Sequence, residues 1–352
     1  MQTGLQSASI QIPRKKFDLL TIFKNLIVRS ARLGESSVRP SAIFQALRGD
    51  FLRLRFQPDR HHSVEIIECP GLSLNQQDLD ALVKDCRAVV ASCLNGNQLE
   101  YGLFAPGGAA WDRSVITLVR STDDGRPIAF NAMPLLPVMR GGQASHVLHL
   151  GLVMVDPRER GGGLSWILYG LTCFALFVRG GLRPLWISSV TQVPAVVGMV
   201  AETFDQVYPG QAGTAPSFAH RYLAHQIMAG ERAAFGVGDD AGFDPEAQVI
   251  TNAYTGGSDN LKKSFAVAAK HREARYNMFC AAALNYDRGD DVLQIGRLDL
   301  GSARRFLARS VPRGALPQLA AQGLMIGVQA VVAPLLQWLD ADTPLGRLRP
   351  AR

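Results

Sequence analysis

From Ser145 to Phe177 the chain reads SHVLHLGLVMVDPRERGGGLSWILYGLTCFALF. An alternating strand, three consecutive glycines and an apolar helix follow one another here. A strand that ends in bare backbone and feeds a helix presents several unpaired N–H groups in one direction, and the helix dipole adds partial positive charge. Phosphate suits such a place, because side chains would only obstruct its approach. Arg158 and Arg160 bring mobile positive charge beside the glycines. A plain flexible turn is the alternative at this point.

The strand, 145–155, carries a second signal. By the two-residue period, Leu148, Leu150, Leu152 and Met154 are expected on one face and Val147, His149, Gly151, Val153 and Val155 on the other. His149 is then the only ionisable group on its face, with Gly151 leaving room beside it. Its ordinary pKa lies where a general base is most useful. The competing role is a core or rim histidine held by a hydrogen bond. His146 is expected to be structural.

Around this unit the pattern is mixed α/β. LNQQDLDALVKDCRAVVASCLNG (74–96) is predicted as a helix capped by Asn75 and stopped at Asn95-Gly96. Two β-rich runs flank Asp124-Gly125 as a hairpin. RPLWISSVT (183–191) is a further strand, and PAVVGMVAETF (194–204) a helix entered through Pro194. Later, 249–254 and 280–298 contain strands, and 261–279 reads as a helix. Residues 315–339 hold no charge. Their glutamines and prolines favour a buried or interfacial helix over a membrane span. The expected division is a basic, partly helical extension (1–70), a core (74–235) and a C-terminal extension (236–352) that can complete the sheet.

The formal charge of +7 is concentrated at the start: residues 1–60 hold 11 Lys/Arg against four acids. Residues 14–32 form an amphipathic basic helix, either docked on its own domain or laid on an anionic membrane surface. Nucleic acid is disfavoured, since no exposed aromatics interleave with the basic residues. Five cysteines without paired spacing point to reduced thiols and a cytoplasmic location, peripheral at the inner membrane face if the helix binds lipid. Cys173 reads as a core residue, Asp287, Asp290 and Asp291 as a solvated turn, and no metal set emerges.

The loop excludes the common nucleotide motifs: no GxxxxGK[ST] occurs, and GxGxxG does not fit. Val155-Asp156-Pro157 followed by Arg160, Gly161, Gly162, Gly163, Leu164 and Ser165 instead resembles the pyrophosphate loop of the GNAT N-acyltransferase superfamily, which binds coenzyme A. The resemblance covers about 75–205. It implies a mixed, mostly antiparallel twisted sheet flanked by helices, here with N- and C-terminal extensions. The co-substrate it implies is acetyl-CoA or a longer acyl-CoA, or an acyl carrier protein, with the acyl group passing to an amine-bearing small molecule or lipid. Backbone of Val153, Met154 and Val155 would line the thioester, and Arg158 and Arg160 to Ser165 the diphosphate.

The family's Asn-x-x-Ala-x-x-x-Tyr segment is met by Gln192, Ala195 and Met199, so Gln192 is implied at the pantetheine arm and the tyrosine acid is missing. Tyr208 is the nearest substitute, with core packing as its alternative. In arylalkylamine acetyltransferases of that superfamily a catalytic His precedes the loop Arg/Gln by eleven residues, which here is His149. Surplus apolar surface on 163–179 and 315–339 suggests an acyl tunnel or membrane contact; core covering or a homodimer interface is the alternative. A non-catalytic acyl-CoA sensor and a membrane-associated scaffold remain as competing functions.

Overall fold

The alternating runs on either side of Asp124-Gly125 form the expected hairpin. Its strands are Ser114–Ser121 (β3) and Pro127–Arg140 (β4), and Gly125 supplies the positive φ of 71° at the turn. The computed structural model describes residues 51–94 and 99–339. The basic segment 14–32 and the Asn95-Gly96 stop lie outside them.

Eleven strands make one open, mixed sheet flanked by helices. It begins earlier than the composition suggests: Arg53–Phe56 (β1) and His62–Glu68 (β2) are strands within the segment read as a basic extension, and they extend the sheet beside β3. Their burial alternates, with Leu54, Phe56, Val64 and Ile66 inward, while Arg53 and Arg55 both reach Glu65 on the outer side. After β4 come Gln143–His149 (β5), Leu152–Val155 (β6), Leu185–Thr191 (β7), Asp205–Tyr208 (β8), Gly242–Asp244 (β9), Val249–Thr251 (β10) and Asp291–Leu298 (β11). The order is β1-β2-β3-β4-β5-β7-β11-β10-β9, with β6 also on β4 and β8 also on β11. The C-terminal part therefore completes the sheet, with β11 between β7 and β10.

Helix Gln76–Cys93 (α1) starts where Asn75 accepts the Asp78 N–H at 2.9 Å. It packs on Ile116, Leu118, Phe130 and Ala132. Phe218–Gly230 (α4) covers Leu136, Val138, Val147 and Leu293 on the same face. The opposite face is covered by Thr172–Arg179 (α2), Pro194–Thr203 (α3), Ala274–Ala283 (α5), Leu300–Arg309 (α6) and Leu316–Leu339 (α7). The helix expected over 261–279 is confined to its end and runs on to Ala283; turns occupy most of 259–272.

The apolar α2 is explained by this covering. Phe174 meets Phe306 of α6 with ring centroids 6.0 Å apart, and Leu319 and Ile326 of α7 are buried in the same core. The gap left between β1, α2 and α7 is about 10 Å³, too small for an acyl chain. Among the described residues, no helix is long and apolar enough to cross a membrane.

Strands β5 and β6 do not form the single uninterrupted strand expected over 145–155. Leu148 lies opposite Leu135, yet Leu152 lies opposite Ala132, so the β5–β6 side holds one residue more than β4. A bulge of this kind reverses which face each later side chain meets. Leu148 and Leu150 enter the α2 core, whereas Leu152 and Met154 turn toward α1. The expected single leucine stripe is thus split, and Val153 and Val155 lie across the sheet from His149.

Candidate functional site: a groove between two parted strands

β5 runs parallel to β7 for only a short distance, with Leu148 opposite Ile187 and His149 opposite Ser188. The Leu150 N–H still donates to the Ser188 carbonyl at 2.7 Å. Beyond it, β6 follows β4 while β7 stays with β11, so the two strands part. A groove of about 830 Å³ opens there, walled by β6, by Val190 and Thr191 of β7, and by Tyr101, Phe235 and Tyr254 from the connections.

The backbone of β6 faces this groove. The Asp156 N–H donates to the Ile128 carbonyl at 2.8 Å, which fixes the phase of the ladder. By antiparallel alternation, the N–H and C=O groups of Val153 and Val155 then point away from β4. The Val155 carbonyl already accepts from Cys93 Sγ at 3.2 Å and from Arg160 Nε at 3.4 Å. Val153, Met154, Val155 and Arg160 all line the groove.

At its end the loop keeps its backbone bare. Gly161 and Gly163 have φ of 85° and 75°, and a Cβ at either would meet nothing within 4 Å. Among the described residues no carbonyl accepts from the N–H groups of Gly161, Gly163, Leu164 or Ser165. Leu164 anchors the turn by burying its side chain, while Gly161, Gly162, Gly163 and Ser165 remain exposed. The helix opens with a wide π turn over Trp166–Leu171, a form that recurs at functional sites. Beneath it a buried network holds β3, β4 and the helix together: Thr117 and Thr172 hydroxyls lie 2.6 Å apart, and Asn131 Nδ2 donates to Thr172 at 3.1 Å.

Arg158 is not the mobile charge expected of it. Its guanidinium grips Asp156 at 3.0 and 2.8 Å, and Arg126 reaches the same carboxylate at 2.7 Å. The Arg158 bonds, aided by Arg126, hold the buried Asp156 carboxyl well below the usual carboxylate range. Arg158 therefore shapes the turn, and Arg160 is the arginine at the groove.

His149 lies on the groove wall, 1% exposed. Its Nδ1 is 3.0 Å from Ser188 Oγ, and its ring stacks on Phe235 at 4.9 Å. Burial pushes its pKa down to about 3, so the imidazole is neutral at physiological pH but a weaker base than the ordinary value near 6.5 expected from the sequence. No hydrogen bond is made by Nε2 among the described residues, which leaves that nitrogen for a ligand.

Two expected site residues lie elsewhere. Tyr208 Oη donates to the Glu246 carbonyl at 2.8 Å, with its ring beside His220, and takes no part in the groove wall. Gln192 is buried: in the amide orientation that satisfies both ends, its oxygen accepts from Tyr254 Oη and the Lys263 N–H, each at 2.7 Å, and its nitrogen donates to the Lys263 carbonyl at 3.1 Å. It pins the 254–263 connection and does not reach the groove. Met199 packs against the core and Cys173 is buried, its thiol pushed up to about 12 by desolvation.

Asp291 belongs to the site, although the sequence placed it in a solvated turn. It is 5% exposed, opens β11 on the groove wall, and accepts from Tyr254 Oη at 3.0 Å. Burial raises its carboxyl to about 7. The Tyr254 hydroxyl has one proton and two neighbouring acceptors, Asp291 and Gln192, so a proton on Asp291 relieves the conflict. Burial also pushes the phenols of Tyr254 and Tyr101 up. Asp290, its neighbour, is occupied by Arg288 at 2.7 Å and by backbone N–H groups. The signal was present in DVLQI: the strand period puts Asp291 on the inward face with Leu293 and Ile295.

Fold and groove together define a mixed α/β protein whose central strands part over a buried histidine and a buried carboxylate. Comparison with known proteins adds no relative: no family model matches this chain, and no curated protein matches it.

Proposed function

We propose that the protein is a GNAT-type acyltransferase that moves an acyl group from acyl-CoA, or an acyl carrier protein, to an amine. The observation that carries this reading is the juxtaposition of two bare backbones: the outward amides of Val153 and Val155, and the unpaired amides of Gly161, Gly163, Leu164 and Ser165 at the head of a helix. The second fits a diphosphate, with Arg160 beside it. The first fits an extended thioester arm, which adds to a strand edge through main-chain hydrogen bonds. The Val153 and Val155 amides are also suitable donors to the oxyanion that forms as the acceptor nitrogen adds to the carbonyl.

His149 is assigned the role of general base. Kept neutral by burial and oriented by Ser188, it is able to take the proton that the attacking amine loses. That proton transfer, formation of the C–N bond and departure of the thiolate complete the exchange. Neither Tyr208 nor Met199 supplies an acid for the thiolate. This favours, as a second reading, a sensor that binds acyl-CoA without turning it over.

The test is calorimetric titration with coenzyme A and acyl-CoAs of increasing chain length, followed by release of free thiol in the presence of amines. Binding with turnover is expected. Binding without turnover by any acceptor supports the sensor, and failure to bind any of these thioesters or coenzyme A defeats both.

A further inference from the structure

Asp291 poses a problem that the acyl donor does not solve. A buried carboxylate is costly unless a cation or several donors answer it. Here Tyr254 Oη serves Oδ1, while Oδ2 has no hydrogen-bond partner and no Lys or Arg forms an ion pair with either oxygen among the described residues. Arg160 and Lys263 line the same groove without pairing with it. The hydroxyl of Tyr254 meets it, the Tyr101 phenol lies within reach of its charge, and Phe235, stacked on His149, lines the same groove. An unpaired carboxylate on a groove wall with aromatic residues beside it is a receptor for an organic cation, since its charge attracts the ammonium and the rings suit an apolar skeleton.

We infer that Asp291, with Tyr101 and Tyr254, forms the acceptor subsite and that the acceptor enters as a cationic amine. This rests on the acyltransfer reading and specifies its substrate class. It divides the groove: β6 and the glycine loop serve the donor, β11 and the aromatic connections serve the acceptor, and His149 stands at the wall they share. Asp291 is a binding residue here, and the ammonium supplies the charge partner that the chain does not. Before attack the bound ammonium gives one proton to solvent through the groove, and His149 takes the second as the C–N bond forms.

The experiment compares binding of amines with alcohols of the same carbon skeleton, such as 2-phenylethylamine with 2-phenylethanol and hexylamine with hexanol, by calorimetry at pH 8. Coenzyme A is titrated in parallel. At least one amine is expected to bind about tenfold or more tighter than its alcohol, one pairing's worth of free energy, and Asp291→Asn is expected to erase that preference while coenzyme A binding is unchanged. Wild-type protein at pH 5 provides a control that needs no variant, because Asp291 is then protonated while the amines stay charged; the preference is expected to vanish there too. Of the other groups on the wall, His149 is neutral at both pH values, and Tyr101, Tyr254, Lys263, Arg160 and the adjacent Asp290 are present in both states of the comparison.

No preference for any amine at pH 8 overturns the inference, as does a preference that survives in Asp291→Asn or at pH 5. Intact coenzyme A binding in those cases leaves the donor reading standing. Loss of coenzyme A binding in wild-type protein is the separate failure of that reading.

Discussion

Gly151 lies so close to Ala132 that a Cβ on the glycine would be 2.4 Å from the Ala132 carbonyl oxygen and 3.0 Å from the Pro134 ring. Both contacts are with rigid atoms. This contact sits where β5 becomes β6, at the extra residue that turns Val153 and Val155 across the sheet from His149. Gly151→Ala must push β6 off β4 or move the bulge. A loss of about 1–3 kcal/mol is expected, as for other overpacking substitutions. It is read as a lower midpoint in thermal unfolding, together with weakened coenzyme A binding. A variant that melts and binds like wild type would show that the bulge does not depend on this glycine.

Gly161 and Gly163 make the opposite case. Space around them is open, so only their positive φ resists substitution, at roughly 1–2 kcal/mol per residue for a left-handed conformation. Combined Gly161→Ala and Gly163→Ala is therefore expected to lower stability by about 2–4 kcal/mol while remaining folded, and to bind coenzyme A about tenfold or more weakly because the amide cradle is reshaped. Calorimetry on the folded variant decides it. Unchanged affinity removes the phosphate role from this loop.

Much of this was legible in the sequence because it is local. The α1 cap at Asn75, the Asp124-Gly125 hairpin and the bare glycines before an apolar helix each depend on neighbours a few residues away. What escaped depends on partners far along the chain. The bulge is defined by the register of β4, and no period within 145–155 reveals an extra residue. Arg158 looked free because its carboxylate partner, Asp156, was read only as part of a strand end. β1 and β2 were hidden by arginines that proved to be the outward half of an alternating pattern. Asp291 was misplaced because three nearby acids suggested water, whereas the inward phase of DVLQI was the better guide. Gln192 had the residue type suited to a ligand, but Tyr254 and the Lys263 backbone claim it from more than sixty positions away.

His149 carries the chemistry proposed. His149→Ala is expected to lower turnover about 10²–10⁴-fold, the usual contribution of a general base, with coenzyme A affinity unchanged. Its pKa has a sign that can be checked. Burial depresses it from 6.5 to about 3, so its contribution to stability is full above 6.5 and is lost as pH falls toward 3. The rate profile is accordingly expected to lack an acid limb near 6.5 arising from this residue. Full turnover in His149→Ala would return His149 to the role of a packed histidine held by Ser188 and Phe235.

Asp291 reverses that sign. Its folded pKa is raised by burial from 3.8 to about 7, so the folded state holds the proton more tightly than the unfolded chain does. Its contribution to stability is complete below 3.8 and is lost as pH rises through 7. Asp291→Asn keeps the shape and removes the titration. Without a bound amine, the melting midpoint of the variant is expected to gain on that of wild type between pH 4.5 and 8, by about 2–4 °C for a difference of one to two kcal/mol. His149 and the other titrating groups are common to both proteins and largely cancel in this difference. A cation that pairs with Asp291 should close the gap again at pH 8, because it offsets the buried charge in wild type alone. A gap that stays constant over the whole range would mean that Asp291 ionises at no cost, and the unpaired buried carboxylate would lose its claim on a ligand.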